Sequence, residues 1–369
     1  MAKTNFAALT TEQKTVWSRQ VWKQARENSF IMQYAGKGEN AMFQRITELT
    51  KDERGDRAVI TLVTDLEGDG VAGDNDLEGN EDELKAFDQV ITIDQIRNAV
   101  RNTGRMADQR TIVNFREQAK SALAHWLAER MDQMAFLTLS GVGYNKKTNG
   151  ANRDANSAFM DLAFAGDVTA PSAARHLRIA GNGIDTGSTT ALTATDKLKY
   201  NHIIDIHVYA KLQFIRPVRT SAGQELYHLF IHPLAMAELK KDPDFRENVR
   251  HAWTRGSSNP LFKGGESYLL DGVMVHSYRH SYNTTGAAAG QKWGADGNVN
   301  GNRMLLCGAQ AMGVADLGPG YWDEKKDFDY YNQKGIAYGK IFGLLKPRFY
   351  SRITGNEQDF SVIAIDAAI

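Results

Sequence analysis

Two groups of residues in this chain have types and spacings that chemistry uses. The first is Gly68-Asp-Gly-Val-Ala-Gly73, which has the spacing of a dinucleotide fingerprint and follows a strand-like run. In such a site the glycines lead into a helix whose N-terminus cradles a pyrophosphate. Here they lead into Asp74, Asp76, Glu78, Glu81, Asp82 and Glu83. Those carboxylates repel a pyrophosphate, and no helical pattern starts there, so a turn is the better reading. The same stretch imitates a calcium loop, with Asp65, Glu67, Asp69, Gly70 and, at the twelfth place, Asp76. The flanks, however, read as strands, the last ligand is Asp rather than Glu, and Ala72 stands where a larger apolar residue packs. A solvated or partner-facing acidic tip is favoured over a cation site.

The second group is the histidines. His228 and His232, and likewise His276 and His280, would share a strand face. A zinc site needs a third ligand and outer support, so packing or surface histidines are the favoured reading. Cys307, in Met304-Leu-Leu-Cys-Gly, reads as a buried structural thiol rather than a nucleophile. There is no nucleophile elbow, P-loop or His-Glu-x-x-His. No catalytic, cofactor-binding or metal-ligating residue is assigned, and an enzyme is not expected.

The bulk numbers agree. Lys and Arg number 44 against 44 Asp and Glu in 369 residues, with a pI near 7.1. A dedicated nucleic-acid binder needs excess cations to neutralise phosphates. A neutral wall that merely faces nucleic acid is still allowed. One cysteine permits neither an internal disulfide nor a cysteine-based zinc site. Met1-Ala-Lys-Thr-Asn-Phe lacks the apolar core of a signal peptide. No apolar run approaches the ~20 residues of a bilayer span. The expectation is a protein of the reducing cytoplasm that makes no membrane contact.

The elements point to assembly. A strand-like run over 56–66 climbs into the acidic tip of 67–83, and a second run, 87–100, returns. Isolated hairpins are marginal in water, so an arm without its own core makes sense lying on a neighbouring copy. A helix is expected over 10–35, with Thr10 and Gln13 as a capping box and a stripe of Val16, Trp17, Val21 and Trp22 that docks on another element. One long helix is expected over 108–139, capped by Asp108 and stopped by Gly141, about 45 Å long. Ala119, Leu123, Trp126, Leu127, Met131 and Met134 share its apolar face, and Arg116, Lys120, Glu129, Arg130 and Asp132 fill the other. Residues 144–195, rich in Gly, Ala, Asn, Ser and Thr, read as irregular and partly mobile. A helix near Asp196 follows, then a strand over 225–232, a helix started by Pro233 and another after Pro243. Strands are expected at 267–270, 273–277, 303–307 and 311–314, with further strand signals from Gly335 onward.

In that order the residues resemble a family. The stretches that carry it include Leu66-Glu-Gly-Asp-Gly-Val-Ala-Gly73, Gly104-Arg-Met-Ala-Asp-Gln-Arg110 and Ala124-His-Trp-Leu-Ala-Glu-Arg-Met-Asp132. Phe230-Ile-His-Pro233, Asn259-Pro-Leu-Phe262, Leu305-Leu-Cys-Gly-Ala-Gln-Ala311 and Asp359-Phe-Ser-Val-Ile363 continue it. The chain resembles the major capsid proteins of tailed bacteriophages, specifically the N-four-type phage group, from about residue 15 to its end. The resemblance implies an α+β fold of the Hong Kong ninety-seven type. In that layout 1–50 would be an N-terminal arm, 51–104 an extended loop with its base, 105–195 a peripheral domain with a spine helix, 196–344 an axial domain, and 345–369 a return to the peripheral domain. It implies a structural protein that self-assembles into an icosahedral shell around a double-stranded DNA genome, located in the virion and assembled in the host cytoplasm. The implied partners are other copies in hexamers and pentamers, scaffolding, portal and cement proteins, and packaged DNA facing the wall without sequence-specific binding. The same fold builds encapsulin compartments, a second reading that these motifs fit less well. Some members of the wider fold cross-link subunits through Lys and Asn, a chemistry that the resemblance does not place on this chain: nothing in the sequence supports pairing Lys85 on the arm with an Asn of a neighbour. An α+β enzyme is a distant third.

Overall fold

The computed structural model describes residues 11–47, 57–63, 71–73, 75–76, 78, 86–110, 114–220, 223–252, 267–351 and 355–369. Six helices are found among them: α1 (Thr11–Asn28), α2 (Arg105–Arg110), α3 (Phe115–Ser140), α4 (Tyr200–Leu212), α5 (Pro233–Lys241) and α6 (Pro243–Ala252). The strands form two large sheets and two small pairs. Thr10 of the expected capping box and the Asn259–Phe262 motif fall outside the described residues.

The first large sheet has six strands, in the order Ala35–Gly36, Phe43–Ile46, Met312–Asp316, Gln333–Leu345 and Tyr321–Phe328, with Asp94–Arg101 also on the long Gln333–Leu345 strand. The second has eight: Ser267–Leu270, Val273–Ser277, Glu225–Ile231, Gly301–Cys307, Val362–Ala368, His176–Ala180 and Gly183–Thr186, with Val218–Arg219 on Glu225–Ile231. Gly301–Cys307 and Val362–Ala368 are buried at every residue. A strand covered on both faces loses its alternation, which fits the apolar runs Met304–Cys307 and Val362–Ile365, and the charges of Arg303 and Asp366 are buried against each other.

The main core gathers α1, α3, the first sheet and one face of the second, with Phe43, Phe136, Phe230 and Phe342 at its centre. A second core joins the other face of the eight-stranded sheet to α4, α5 and α6, around Ile203, Leu229, Leu239, Phe245 and Ile365.

Several expectations are corrected. The long helix starts at Phe115, where the Asn114 side chain caps it by accepting from the Arg116 N–H at 3.1 Å. Asp108 instead lies within the short α2. At 26 residues α3 is about 39 Å long. It ends, as expected, at Gly141, whose φ of 64° is left-handed and whose missing Cβ would sit 2.5 Å from the Thr169 carbonyl oxygen. Its faces also differ. Trp126 is only half-buried, and Asp132, assigned to the polar face, is 1% exposed. From Met131 onward every residue but Gln133 is buried, so the last turns run through the core and have no polar face.

Residues 144–195 are not a loose connector. His176–Ala180 adds to the eight-stranded sheet, parallel to the last strand, with Leu177 opposite Ile365. Tyr144, Phe159, Leu162 and Phe164 enter the main core. The helix expected near Asp196 begins at Tyr200. Asp196 instead accepts hydrogen bonds from Gly181 N, Thr193 N and Thr193 Oγ1. The strand Tyr321–Phe328 had no counterpart in the sequence reading.

Candidate functional site

Three places fix the N-terminal segment, helix α1 and the hairpin to the body, the first two through buried polar groups and the third largely through apolar ones. The first seats the N-terminal segment. Where α1 ends, the chain turns into the short 3-10 helix Ile31–Tyr34. Asp132 of α3 reaches this turn and accepts from Ser29 Oγ (2.6 Å), Phe30 N (3.0 Å), Ile31 N (3.2 Å) and Tyr278 OH (2.5 Å). Burial raises the carboxyl's pKa, and the four donors pull against that rise. The Phe30 ring stacks on Tyr278 at 4.1 Å, nearly parallel.

The second anchor seats α1 itself. Lys340 and Asp316 are an ion pair with both side chains fully buried, and Arg45 Nε lies 2.8 Å from the other Asp316 oxygen. Lys340 also donates to the Gly318 carbonyl and sits 3.7 Å from the centroid of the Trp22 ring. Burial pulls its pKa down to about 8, although Asp316 favours the charged form. Ser18 donates to the Gly320 carbonyl. Trp17 packs on Trp322 at 5.6 Å, beside the bidentate pair of Arg116 and Glu324. The two tryptophans of α1 thus dock on the chain's own sheet and on α3.

The third root is the hairpin. Arg57–Val63 pairs antiparallel with Ala86–Thr92, from Arg57 opposite Thr92 to Val63 opposite Ala86. The expected single return strand is two: after Ile93 the chain continues as Asp94–Arg101 and pairs with Gly335 to Phe342 of the long strand. The arm therefore does have a footing in its own subunit. Ala58, Ile60 and Ile91 are buried with Ala315. Gly313 and Gly343 leave the room: a Cβ at Gly313 would lie 2.7 Å from Ile91 Cδ1, and one at Gly343 would lie 2.2 Å from the Thr92 carbonyl oxygen. Gln89 donates to the Arg348 carbonyl (2.7 Å) and accepts from its N–H (2.9 Å). The opposite face carries the directly paired Val59 and Val90, 51% and 45% exposed.

Of the residues singled out for chemistry and described, only His228 and His276 come together. Of Gly68–Gly73 only residues 71–73 are described, and of the calcium-loop set only Asp76, which is exposed; Asp65, Glu67, Asp69 and Gly70 lie outside the described residues, as does Lys85. The histidines pair across strands rather than along them, because His232 and His280 lie beyond their strands' ends. His228 Nδ1 is 2.9 Å from His276 Nε2, with the rings nearly parallel. His232 caps α5 by accepting from Leu234 N. His280 lies 3.8 Å from Glu129. Cys307 is buried and burial pushes its thiol up, as for an inert structural cysteine. Among the described residues no group of three His, Cys, Asp or Glu could hold a metal ion, and no helix is long and apolar enough to cross a membrane.

Sequence reasoning missed Asp132, Lys340 and two further buried clusters. Arg303 is bidentate to Asp366 (2.8 and 2.9 Å) and donates to the Ser140 carbonyl. Asp359 receives Lys346 (2.9 Å) and Arg348 (3.1 Å). Asp366 and Lys340 did carry a signal, since a charge inside an apolar strand must find a partner. Asp132 did not, standing beside Glu129 and Arg130 in a run that reads as solvated.

Comparison with known proteins places this architecture. A family described as phage capsid protein matches residues 5–369. A major capsid protein of Pseudomonas phage KPP25 is 54% identical over 369 residues, covering 99% of this chain and 97% of the relative. Among solved structures, the capsid of Ralstonia phage GP4 superposes with a TM-score of 0.74 at 28% identity, over 91% of this chain and 89% of that one. The cyanophage Pam1 capsid asymmetric unit has a TM-score of 0.67 at 19% identity, over 99% of both chains, a likeness of fold alone. The fold is therefore the expected capsid type, and the chain belongs to the phage capsid protein family.

Proposed function

We propose that this chain is a major capsid protein that works by assembling copies of itself into a closed icosahedral shell. The observation that carries the reading is the 54% identity, over nearly the full length of both chains, to a phage major capsid protein. The geometry suits it. The hairpin is rooted by Ile60 and Ile91 yet presents Val59 and Val90 outward, an exposed apolar pair that a neighbouring copy could cover. The buried ionic groups serve as anchors, so the protein's work is structural rather than catalytic.

The finer reading has copies in hexamers and pentamers, with scaffolding, portal and cement proteins as further partners and packaged double-stranded DNA facing a wall of balanced charge. Assembly takes place in the host cytoplasm and the product resides in the virion. The layout proposed for the chain is an arm over 1–50, an extended loop over 51–104, a peripheral domain over 105–195 and 345–369, and an axial domain over 196–344. The eight-stranded sheet draws strands from 176–186 and 362–368 as well as from 218–307, so the peripheral and axial parts would share one sheet.

Electron microscopy of the purified protein tests the proposal. Shells or rings are expected, and a discrete small particle at all concentrations would reject it. Nucleic acid within shells isolated from infected cells distinguishes a capsid from an encapsulin-like compartment.

A further inference from the structure

The seat of segment 29–34 holds more titratable groups than an anchor needs. Beyond the Asp132 contacts, Tyr34 sets its ring edge-on against His228 (5.5 Å) and His276 (5.2 Å). Its hydroxyl lies 3.3 Å from His276 Nδ1, and Ser267 Oγ lies 2.8 Å from the same nitrogen. His276 Nε2 faces His228 Nδ1 at 2.9 Å.

That arrangement has a fixed proton capacity. One N–H lies between the two rings, donated by one and accepted by the other. A first added proton makes one ring an imidazolium whose hydrogen-bond partners among the described residues are hydroxyls and a second imidazole, with no carboxylate among them. A second added proton sets N–H against N–H and breaks the ring-to-ring bond. We propose that the seat of segment 29–34 is an acid-sensitive latch: at neutral pH the His228–His276 pair holds Tyr34 down, and its protonation lifts the segment from α3 and from the strands Glu225–Ile231 and Val273–Ser277.

The surroundings fit. The titratable and charged groups facing the seat are Tyr34 on the segment, Glu129, Arg130 and Asp132 on α3, His228 on its strand, and Tyr278, Arg279 and His280 on and after theirs. Burial holds both histidines of the pair down to about 4. A histidine depressed when seated binds its proton more readily when released. The seated state is therefore fully favoured above pH 6.5 and loses ground as pH falls from there toward 4. Between pH 7 and 5 the release equilibrium shifts on the order of tenfold for each histidine that takes up a proton. Asp132 works the other way, because its carboxyl is raised when buried and acid relieves the cost of burying its charge.

Hydrogen exchange on the full chain tests this, read at the amides of Phe30 and Ile31, which donate to Asp132, as protection relative to an unstructured peptide at the same pH. In the wild type, protection is expected to fall at least tenfold from pH 7 to pH 5, while the amides of the Gly301–Cys307 strand hold theirs. In the His228→Gln, His276→Gln double variant the fall should vanish. Constant protection in the wild type, or an equal fall in the double variant, overturns the proposal. Should the double variant not fold, Asp132→Asn decides: the acid-dependent fall persists if the histidines drive release, and its disappearance would assign release to the carboxyl and reject the latch. The measurement is independent of whether shells form.

Discussion

Among the described residues Asp132 receives four hydrogen bonds and no cation, so its removal strands donors rather than a partner charge. A buried donor left unsatisfied costs about 1–3 kcal/mol, and bonds to a charged acceptor are the stronger ones. Asp132→Ala is expected to lose at least about 3 kcal/mol of stability, read by denaturant unfolding, and to raise exchange at Phe30 and Ile31 above all other core amides. A loss under 1 kcal/mol would mean that water replaces the carboxylate and that the anchor contributes little. Lys340 gives a different signature. Its pKa is lowered to about 8 in the folded chain, against an ordinary value of 10.5. The unfolded chain then binds the proton more tightly, so stability rises with pH from about 8 toward 10.5. Between pH 8 and 9.5 the wild type should gain about 1–2 kcal/mol relative to Lys340→Met. Parallel stability curves for the two proteins would show that Asp316 holds the lysine at its ordinary value against burial and the neighbouring Arg45. Both residues show what a sequence conceals. Lys340 betrays itself by interrupting an apolar strand, whereas Asp132 stands one turn beyond Glu129 and Arg130, which are only partly buried. Only the approach of Ser29 and Tyr278 from distant parts of the chain gives it a role.

The hairpin shows where element-level reading succeeds and where it stops. Alternation over 56–66 and 87–100 located both strands, while most of the acidic tip between them lies outside the described residues. What alternation could not show is that the return strand changes partner at Ile93, because pairing with residues 335–342 depends on a segment 240 positions away and leaves no local trace. The consequence is an arm with a protected root. In free subunits the amides of Ile60 and Ile91 are expected to exchange slowly, because burial and pairing there need no neighbour. The outward face should gain protection only in shells. Fast exchange along the whole hairpin in free subunits would return it to an arm without a footing. Gly343→Ala probes the same root, since its Cβ must push on the Thr92 carbonyl. Overpacking of this kind costs about 1–3 kcal/mol, and the expected readout is faster exchange at residues 58–60 and 89–92 with α3 unaffected. The 144–195 segment failed in the opposite direction. Its small polar residues read as loop, yet Leu177 and Ile179 alternate correctly for a strand that needs the chain's last strand beside it before it can form.

At the scale of the whole molecule, the order of elements and the balanced charge were legible early, because they follow from periodicity and composition. The strand order of the eight-stranded sheet was not, because its two central strands lie more than fifty residues apart and one of its edges comes from the segment that looked least structured. The acidic tip is the feature that the isolated chain leaves without a purpose. Nine carboxylates lie from Asp65 to Glu83 with no Lys or Arg among them, in the connection between the paired strands Arg57–Val63 and Ala86–Thr92. Single surface pairs contribute about 0–1 kcal/mol and weaken with salt, but a closed shell repeats each contact at every equivalent position, so small terms decide closure. Replacing Asp69, Asp74 and Asp76 together with Asn is therefore expected to leave subunit folding within about 0.5 kcal/mol of wild type while lowering shell yield and heat resistance. A chelator separates two causes: shells that weaken on chelation and recover with calcium would owe the contact to a bound cation, and shells indifferent to chelation would owe it to cationic side chains of neighbours. Wild-type yield and heat resistance in the triple variant would reject both and leave the tip merely solvated.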